Sequence, residues 1–201
     1  MNTQKIDVSG MLITIPAYYQ KWNSMPEDPP DSVSYGVQTE NSMCFVLIFP
    51  IAASQAMPRD QKTVIDGIRQ CLGENQGLIQ VEATEDYVYS IVKTLQQPHG
   101  VQYCLTYHRF YQNSILHVHA FFDEAGMTGI RDSMVYEYCR KENIVGSDDD
   151  PFMGWSQDPY DKNIKHGALM NISEQEKFDD KFVGFPLSMC REFIRALGKS
   201  V

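Results

Sequence analysis

Three of the five histidines, His108, His117 and His119, lie close together in segment 101–123. Neutral imidazole is a common zinc ligand, and three such ligands leave a fourth position open for water. Water bound to zinc ionises near neutral pH and can then act as a nucleophile. A histidine can also act as an acid or base without a metal, because its pKa lies near neutrality. These three residues are therefore the candidate metal ligands. Zinc is the metal they would hold, and without such a site no cofactor is expected.

A β-hairpin is expected to position this cluster. Residues 102–111 and 114–123 both read as strands, and Gln112 and Asn113 form the turn between them. This turn places His108 directly opposite His117. His119 shares their face, because side chains on a strand alternate with a period of two.

The same register gives this face an alternative interpretation. Phe110, Ile115 and Phe121 share it with the histidines, so a helix could cover the face and leave the imidazoles hydrogen-bonded at its rim. A shift of one residue would send the cluster to both sides of the sheet. A metal or acid–base site and a covered apolar face both remain open at this point.

A second candidate site is the acidic segment 146–165. Its carboxylates are possible calcium ligands, but their spacing does not match an EF-hand loop. Its aromatic residues either pack the loop onto the domain or form an exposed patch for a protein partner, because aromatic residues dominate interface hot spots. The candidate partner-binding residues are Asp148, Asp149, Asp150, Phe152, Trp155 and Tyr160.

Composition and motifs exclude several function classes. A net charge of −9 argues against a nucleic-acid partner, because phosphate backbones repel an acidic surface. The five cysteines are widely spaced and none forms a C-x-x-C pair, so a disulfide framework and a cysteine zinc site are disfavoured. No G-x-S-x-G elbow and no phosphate-binding glycine loop occur in the sequence. No nucleophile is expected within reach of a histidine, because Cys104 lies about 13 Å along the strand from His108.

The sequence also suggests where the protein resides. Residues 1–10 lack the basic region and apolar run of a signal peptide. No stretch approaches the roughly 18 consecutive apolar residues of a membrane helix. We therefore expect a soluble, cytoplasmic protein without a membrane partner.

Hydrophobic patterns predict an α+β fold. Strands are expected at 11–15, 33–39, 43–49, 78–83 and 86–96, besides the two strands of the hairpin. Four helices are expected. The first has the stripe Val64, Ile65, Ile68, Cys71 and Leu72, and the second spans 128–142. Two short helices close the chain, one with a capping box at 173–176 and one at 186–197. Tight turns between consecutive strands favour antiparallel pairing. The prediction is a twisted antiparallel sheet of six to seven strands flanked by helices.

The helices at 128–142 and 186–197 carry predicted buried stripes. The stripe of the helix at 128–142 consists of Ile130, Met134, Val135, Tyr138 and Cys139. The stripe of the helix at 186–197 consists of Leu187, Cys190, Phe193, Ile194 and Leu197. We expect residues 1–145 to form one α+β domain. Residues 146–201, an acidic loop with short helices, are expected to pack on that same domain.

The order of elements resembles the Mog1/PsbP-like fold. The resemblance lies in the segment Gly-Met-Leu-Ile-Thr-Ile-Pro at 10–16, in Trp22 after it, and in two paired strands, a helix, a run of antiparallel strands and a closing helix. It spans residues 9–143 and implies helices around a twisted antiparallel sheet. Several members are noncatalytic binding or accessory proteins, and the resemblance implies no catalytic residues.

Two functional hypotheses follow. The first is a noncatalytic intracellular protein that binds another protein, with the acidic surface and the loop at 146–160 as candidate contacts. The second is a metal-binding protein or metal-dependent hydrolase built on His108, His117 and His119.

Overall fold

A seven-stranded antiparallel sheet forms the centre of the protein. The computed structural model describes residues 2–54 and 58–198. The strand order of the sheet is β3-β4-β5-β9-β8-β7-β6. Its strands are β3 (Gln20–Trp22), β4 (Val33–Gln38), β5 (Ser42–Ala52), β6 (Gln76–Ala83), β7 (Tyr87–Leu95), β8 (Val101–Phe110) and β9 (Ser114–Glu124). The predicted α+β class with an antiparallel sheet of six to seven strands is thus confirmed.

The remaining elements flank this sheet. Two small antiparallel pairs accompany it, β1 (Thr3–Val8) with β2 (Met11–Pro16) and β10 (Ser156–Gln157) with β11 (Met170–Asn171). The helices are α1 (Gln61–Cys71), α2 (Ile130–Lys141) and α3 (Pro186–Leu197), and the 3-10 turns are Ile172–Glu174 and Glu176–Lys181. Sequence reasoning missed β1, because Thr3, Gln4 and Lys5 make its first half polar and only Ile6 and Val8 bury side chains.

One face of the sheet carries the main core. Side chains from the central strands, such as Val46, Leu105 and Phe122, pack there with the β1–β2 pair and α3. The predicted stripe of α3 is confirmed, because its Leu187, Cys190, Phe193 and Leu197 are buried and its Ile194 packs half-buried against the same cluster. We call this side of the sheet the core face.

The predicted buried stripe of α2 is partly wrong. Val135 and Cys139 are buried against the C-terminal segment, but Met134 and Tyr138 are 60% and 46% exposed. Arg131 occupies the buried side of the helix instead. The guanidinium group of Arg131 points inward because it binds the buried carboxylate of Asp179, a partner that helical periodicity cannot reveal.

Buried charges clamp residues 169–191 onto the sheet. Nζ of Lys93 on β7 donates to Oε2 of Glu174 at 2.9 Å and to the carbonyl of Leu169 at 2.8 Å. The hydroxyl of Tyr103 on β8 donates to the other oxygen of Glu174 at 2.8 Å. Both carboxylate oxygens of a buried glutamate thus bind the sheet. The division into parts 1–145 and 146–201 stays a prediction.

A second charged group lies beside the first. Oδ1 of Asp179 accepts from Arg131 of α2 at 2.9 Å and from Arg191 of α3 at 3.1 Å, and all three side chains are buried. The remaining nitrogens of Arg191 donate to the side chain of Gln80 and the backbone of Glu174. One carboxylate therefore joins α2 to α3, and Arg191 extends this group to β6 of the sheet.

Replacement of glycine by alanine is expected to have opposite effects on stability in α1 and in β6. A Cβ atom at Gly67, in the middle of α1, would meet no other atom within 4 Å. Gly67→Ala is therefore expected to stabilise the protein by about 0.5–1 kcal/mol, because alanine has less backbone freedom to lose. A Cβ atom at Gly77 would collide with the backbone carbonyl of Ala168. Gly77→Ala should destabilise the protein. Urea denaturation measures both effects, and a change of the free energy of unfolding in the same direction for both variants would contradict this account.

Candidate functional site

The hairpin β8–β9 has the predicted register. His108 pairs with His117, and Thr106 pairs with His119. Nε2 of His108 and Nδ1 of His117 lie 2.7 Å apart, within hydrogen-bond distance. The rings of His117 and His119 lie nearly parallel with their centroids 6.2 Å apart. The structure therefore brings the three predicted histidines together on one face.

The geometry of the cluster differs from that of a zinc site. Two ring nitrogens that bind one metal both point at the metal, whereas the facing nitrogens of His108 and His117 are hydrogen-bonded to each other. Within residues 2–54 and 58–198, no three histidine, cysteine or acidic side chains are arranged to hold a metal ion. The metal role of His108, His117 and His119 stays a prediction.

Burial keeps these imidazoles neutral. Desolvation lowers the pKa of His108 and of His117 to about 4, and neighbouring histidines add to the shift at His117. Burial also lowers the pKa of His119. A hydrogen bond between two imidazoles needs one N–H group and one lone pair, which a pair of neutral rings supplies.

The lowered pKa values of the histidines predict that the protein loses stability in acid. Because the pKa values of His108 and His117 are lower in the folded protein than in the unfolded chain, their contribution to stability is complete above about pH 6.5 and decreases as the pH falls towards 4. We expect a loss on the order of 1 kcal/mol per histidine between pH 7 and pH 5, after discounting for partial solvent exposure.

Urea denaturation at both pH values measures this loss. The double variant His108→Gln, His117→Gln should lose less stability on acidification than the wild-type protein. A His99→Gln variant serves as the control, because His99 is exposed. Equal acid sensitivity of the double variant and the wild-type protein would contradict the assignment.

Cys104 lies closer to a histidine than the sequence suggested. Cys104 lies four residues from His108 along β8, but its Sγ atom lies 3.9 Å from Nε2 of His119 on the neighbouring strand. The expectation that no nucleophile is within reach of a histidine is therefore wrong, because it ignored the diagonal neighbour across the hairpin. Burial raises the pKa of Cys104 to about 11, so the thiol is protonated at neutral pH and is a weak nucleophile.

An incompletely covered apolar surface surrounds the histidines. Helix α1 covers only the β6–β7 side of this face, where Val64, Ile68 and Leu72 pack near Leu78 and Val81. On the other strands, large side chains are only partly buried and belong to none of the core clusters found in the described residues. We call this surface the open face; it consists of Trp22, Phe45, Leu47, Phe49, His117, His119 and Phe121.

Aromatic rings of the open face contact one another. The ring of Phe49 lies 4.7 Å from that of His117, and the ring of His119 lies 4.7 Å from that of Phe121. Trp22, which is 42% exposed, lies 5.7 Å from Phe45. Neutral imidazoles thus continue an aromatic surface, and the mixed face that the sequence predicted is apolar in character.

Glycine at position 36 allows the tryptophan to lie on the sheet. Gly36 of β4 is buried directly under the ring of Trp22, and a Cβ atom at this position would collide with that ring. Trp22 therefore stands on one side of the open face, and α1 stands on the other side. Neither the sequence pattern of β4 nor that of β3 indicated this contact.

The acidic loop presents a second exposed surface. Asp148, Asp149 and Asp150 are exposed, and Phe152 is 67% exposed. In contrast, the ring of Trp155 packs 5.1 Å from that of Tyr136. The hydroxyl of Tyr160 accepts from the backbone N–H of Val81 at 2.6 Å and donates to the carbonyl of that residue. Trp155 and Tyr160 therefore hold the loop in place, whereas Phe152 and the aspartates face solvent.

Comparisons with known proteins concern the fold. No protein-family model matches the chain, and no curated protein sequence matches it. Similar solved structures include the Ran-binding protein Mog1p of Saccharomyces cerevisiae, with a TM-score of 0.46 and 8% identity over 68% of this chain and 84% of that chain. A protein of unknown function from Pseudomonas aeruginosa, PA94, described as a putative regulator, gives a TM-score of 0.35 and 8% identity over 72% of this chain and 94% of that chain. Mog1p gives its name to the Mog1/PsbP-like fold that the sequence resembles.

None of the helices in the described residues combines the length and apolar character needed to cross a bilayer.

Proposed function

We propose that this protein is a noncatalytic binding protein and that its open face receives an amphipathic helix of another protein. The observation that carries this proposal is the row of partly buried rings at the open face, beside the β6–β7 part of the sheet that α1 already covers. Large exposed apolar patches on soluble proteins typically mark interaction sites. A helix that lays its apolar side into a groove is a common mode of recognition.

The dimensions of the open face fit one helix. Three strands, β5, β9 and β8, separate the Trp22 side from the part covered by α1. Strands lie about 4.8 Å apart, so this gap is about 14 Å wide. A helix with its side chains is about 10–12 Å across. The bound helix would therefore lie beside α1 on the same face of the sheet.

Charge suggests the composition of the partner. The chain has a net charge of −9. Asp123 follows Phe121 on the same face of β9 and lies opposite Met43 at one end of the open face. A partner helix with an apolar stripe flanked by lysine or arginine would complement this surface. The exposed Phe152 and Asp148 to Asp150 supply a second contact region for the same basic partner.

The histidine cluster has a role in this proposal without a metal. Neutral His117 and His119 contribute polarisable rings to the floor and can be covered without the cost of burying a charge. The rival hypothesis, a metal-dependent hydrolase, requires about one equivalent of metal in the purified protein. Metal analysis distinguishes the two hypotheses.

Photo-crosslinking tests the proposal. A benzophenone amino acid replaces Phe121 on the open face, and a matched protein carries it at Tyr18, which is 41% exposed beside α3. In the native cells, position 121 should crosslink to a segment with apolar residues spaced three and four apart and basic residues beside them. Equal adducts from both positions, or a segment without this spacing, would contradict the proposal.

A further inference from the structure

A cleft separates α1 from the sheet next to the open face. Its volume is about 220 Å³. Helix α1 contributes Val64, Gly67 and Ile68 to its lining, and Val88 of β7 adds another apolar wall. The cleft is formed by this chain alone, so it is present without the partner helix proposed above.

Hydrogen-bonding groups converge at the base of the cleft. Ser90 of β7 lies directly opposite Thr106 of β8, and His108 follows two residues later on the same strand. Such cross-strand and same-face neighbours lie within about 7 Å of one another. Ser90, Thr106 and His108 all line the cleft. The cleft therefore combines apolar walls with a compact polar base.

The lining is uncharged. None of the described residues that line the cleft is acidic, and none is a lysine or arginine. Burial also keeps His108 in its neutral form. A charged ligand would lose its hydration without gaining an opposite charge, so this environment selects against ions.

We propose that the cleft binds a small neutral molecule made of one ring and one hydrogen-bonding group, and that this group contacts Ser90, Thr106 and His108. An apolar cavity of about 150 Å³ accepts benzene in another protein. A cleft of 220 Å³ therefore accommodates such a ring together with a polar substituent. Pockets with apolar walls and a few convergent polar groups are typical small-molecule sites.

Phenol is a suitable probe, with toluene and benzoate as ring-matched comparisons. Titration followed by amide NMR should show saturable shifts at Ser90, Thr106 and His108 with phenol. We expect phenol to bind about fivefold more tightly than toluene, which corresponds to one net hydrogen bond. Benzoate should bind at least tenfold more weakly than phenol, because its charge is desolvated without a partner.

Substitutions distinguish the contribution of the polar base to binding from that of the apolar walls. Thr106→Val keeps the shape of the side chain and should reduce phenol binding to the level of toluene while leaving toluene binding unchanged. Ser90→Ala provides a second test of the base if Thr106→Val does not fold. Gly67→Leu should fill the cleft and abolish binding of both compounds. Thr3→Val, on the exposed side of β1, is the control.

Three results would overturn this proposal. They are phenol shifts that do not saturate or lie elsewhere, benzoate binding as tight as that of phenol, and unchanged phenol binding in both base variants. None of them bears on the open face, so the helix-binding proposal stands or fails separately.

Discussion

Replacing Asp179 by alanine is expected to lower the free energy of unfolding by about 3–5 kcal/mol. Its Oδ1 atom accepts from both Arg131 and Arg191, and the three side chains are each no more than 5% exposed. Removal of the carboxylate leaves two buried guanidinium groups without an anion. They cannot lose their charge, because the pKa of arginine is too high.

Urea denaturation at pH 7 measures this effect. Asp180→Ala is the matched control, because the neighbouring aspartate is exposed and its removal should change stability by no more than about 0.5 kcal/mol. If Asp179→Ala cost as little as Asp180→Ala, the ionic clamp would not be what holds α2 and α3 together. Arg131→Met, which also leaves an ion without one of its partners, should destabilise the protein in the same direction.

Leu47→Glu is expected to weaken binding of the partner helix about 100-fold. Leu47 lies on β5 opposite His119, within the open face. A bound helix would cover the new carboxylate and remove it from water, at a cost of about 3 kcal/mol, which corresponds to this loss of affinity. Titration with the partner segment identified by crosslinking measures the change.

Leu12→Glu provides the matched control for this variant. Leu12 is 46% exposed on β2, outside the open face, so the same change of residue should leave the affinity unchanged. Thermal denaturation of both variants must first show that they are folded. Equal affinities of the folded variants would remove the open face from the binding site.

The hairpin was predictable because all of its information is local. Alternation along β8 and β9, with a short polar turn between them, specifies the register and therefore the approach of His108 to His117. The stripe of α3 was predictable for the same reason, because one helical period describes all of its buried residues.

Contacts between distant segments were not predictable from such patterns. The inward orientation of Arg131 depends on Asp179, which lies in a 3-10 turn far along the chain. The extent of the open face depends on where α1 crosses the sheet, and α1 packs toward β6 rather than centrally. Trp22 lies on the face because Gly36, on another strand, leaves room for its ring. Each feature needs a tertiary neighbour that periodicity does not encode.

Histidine footprinting of the complex tests the central claim most directly. Diethyl pyrocarbonate modifies neutral, accessible imidazoles, and His119 is partly exposed on the open face whereas His99 and His166 are exposed elsewhere. Binding of the partner should protect His119 at least fivefold, together with any reactivity of His117, and should leave His99 and His166 unchanged. Unchanged modification of His119 in the saturated complex would show that the partner binds elsewhere and would contradict the account.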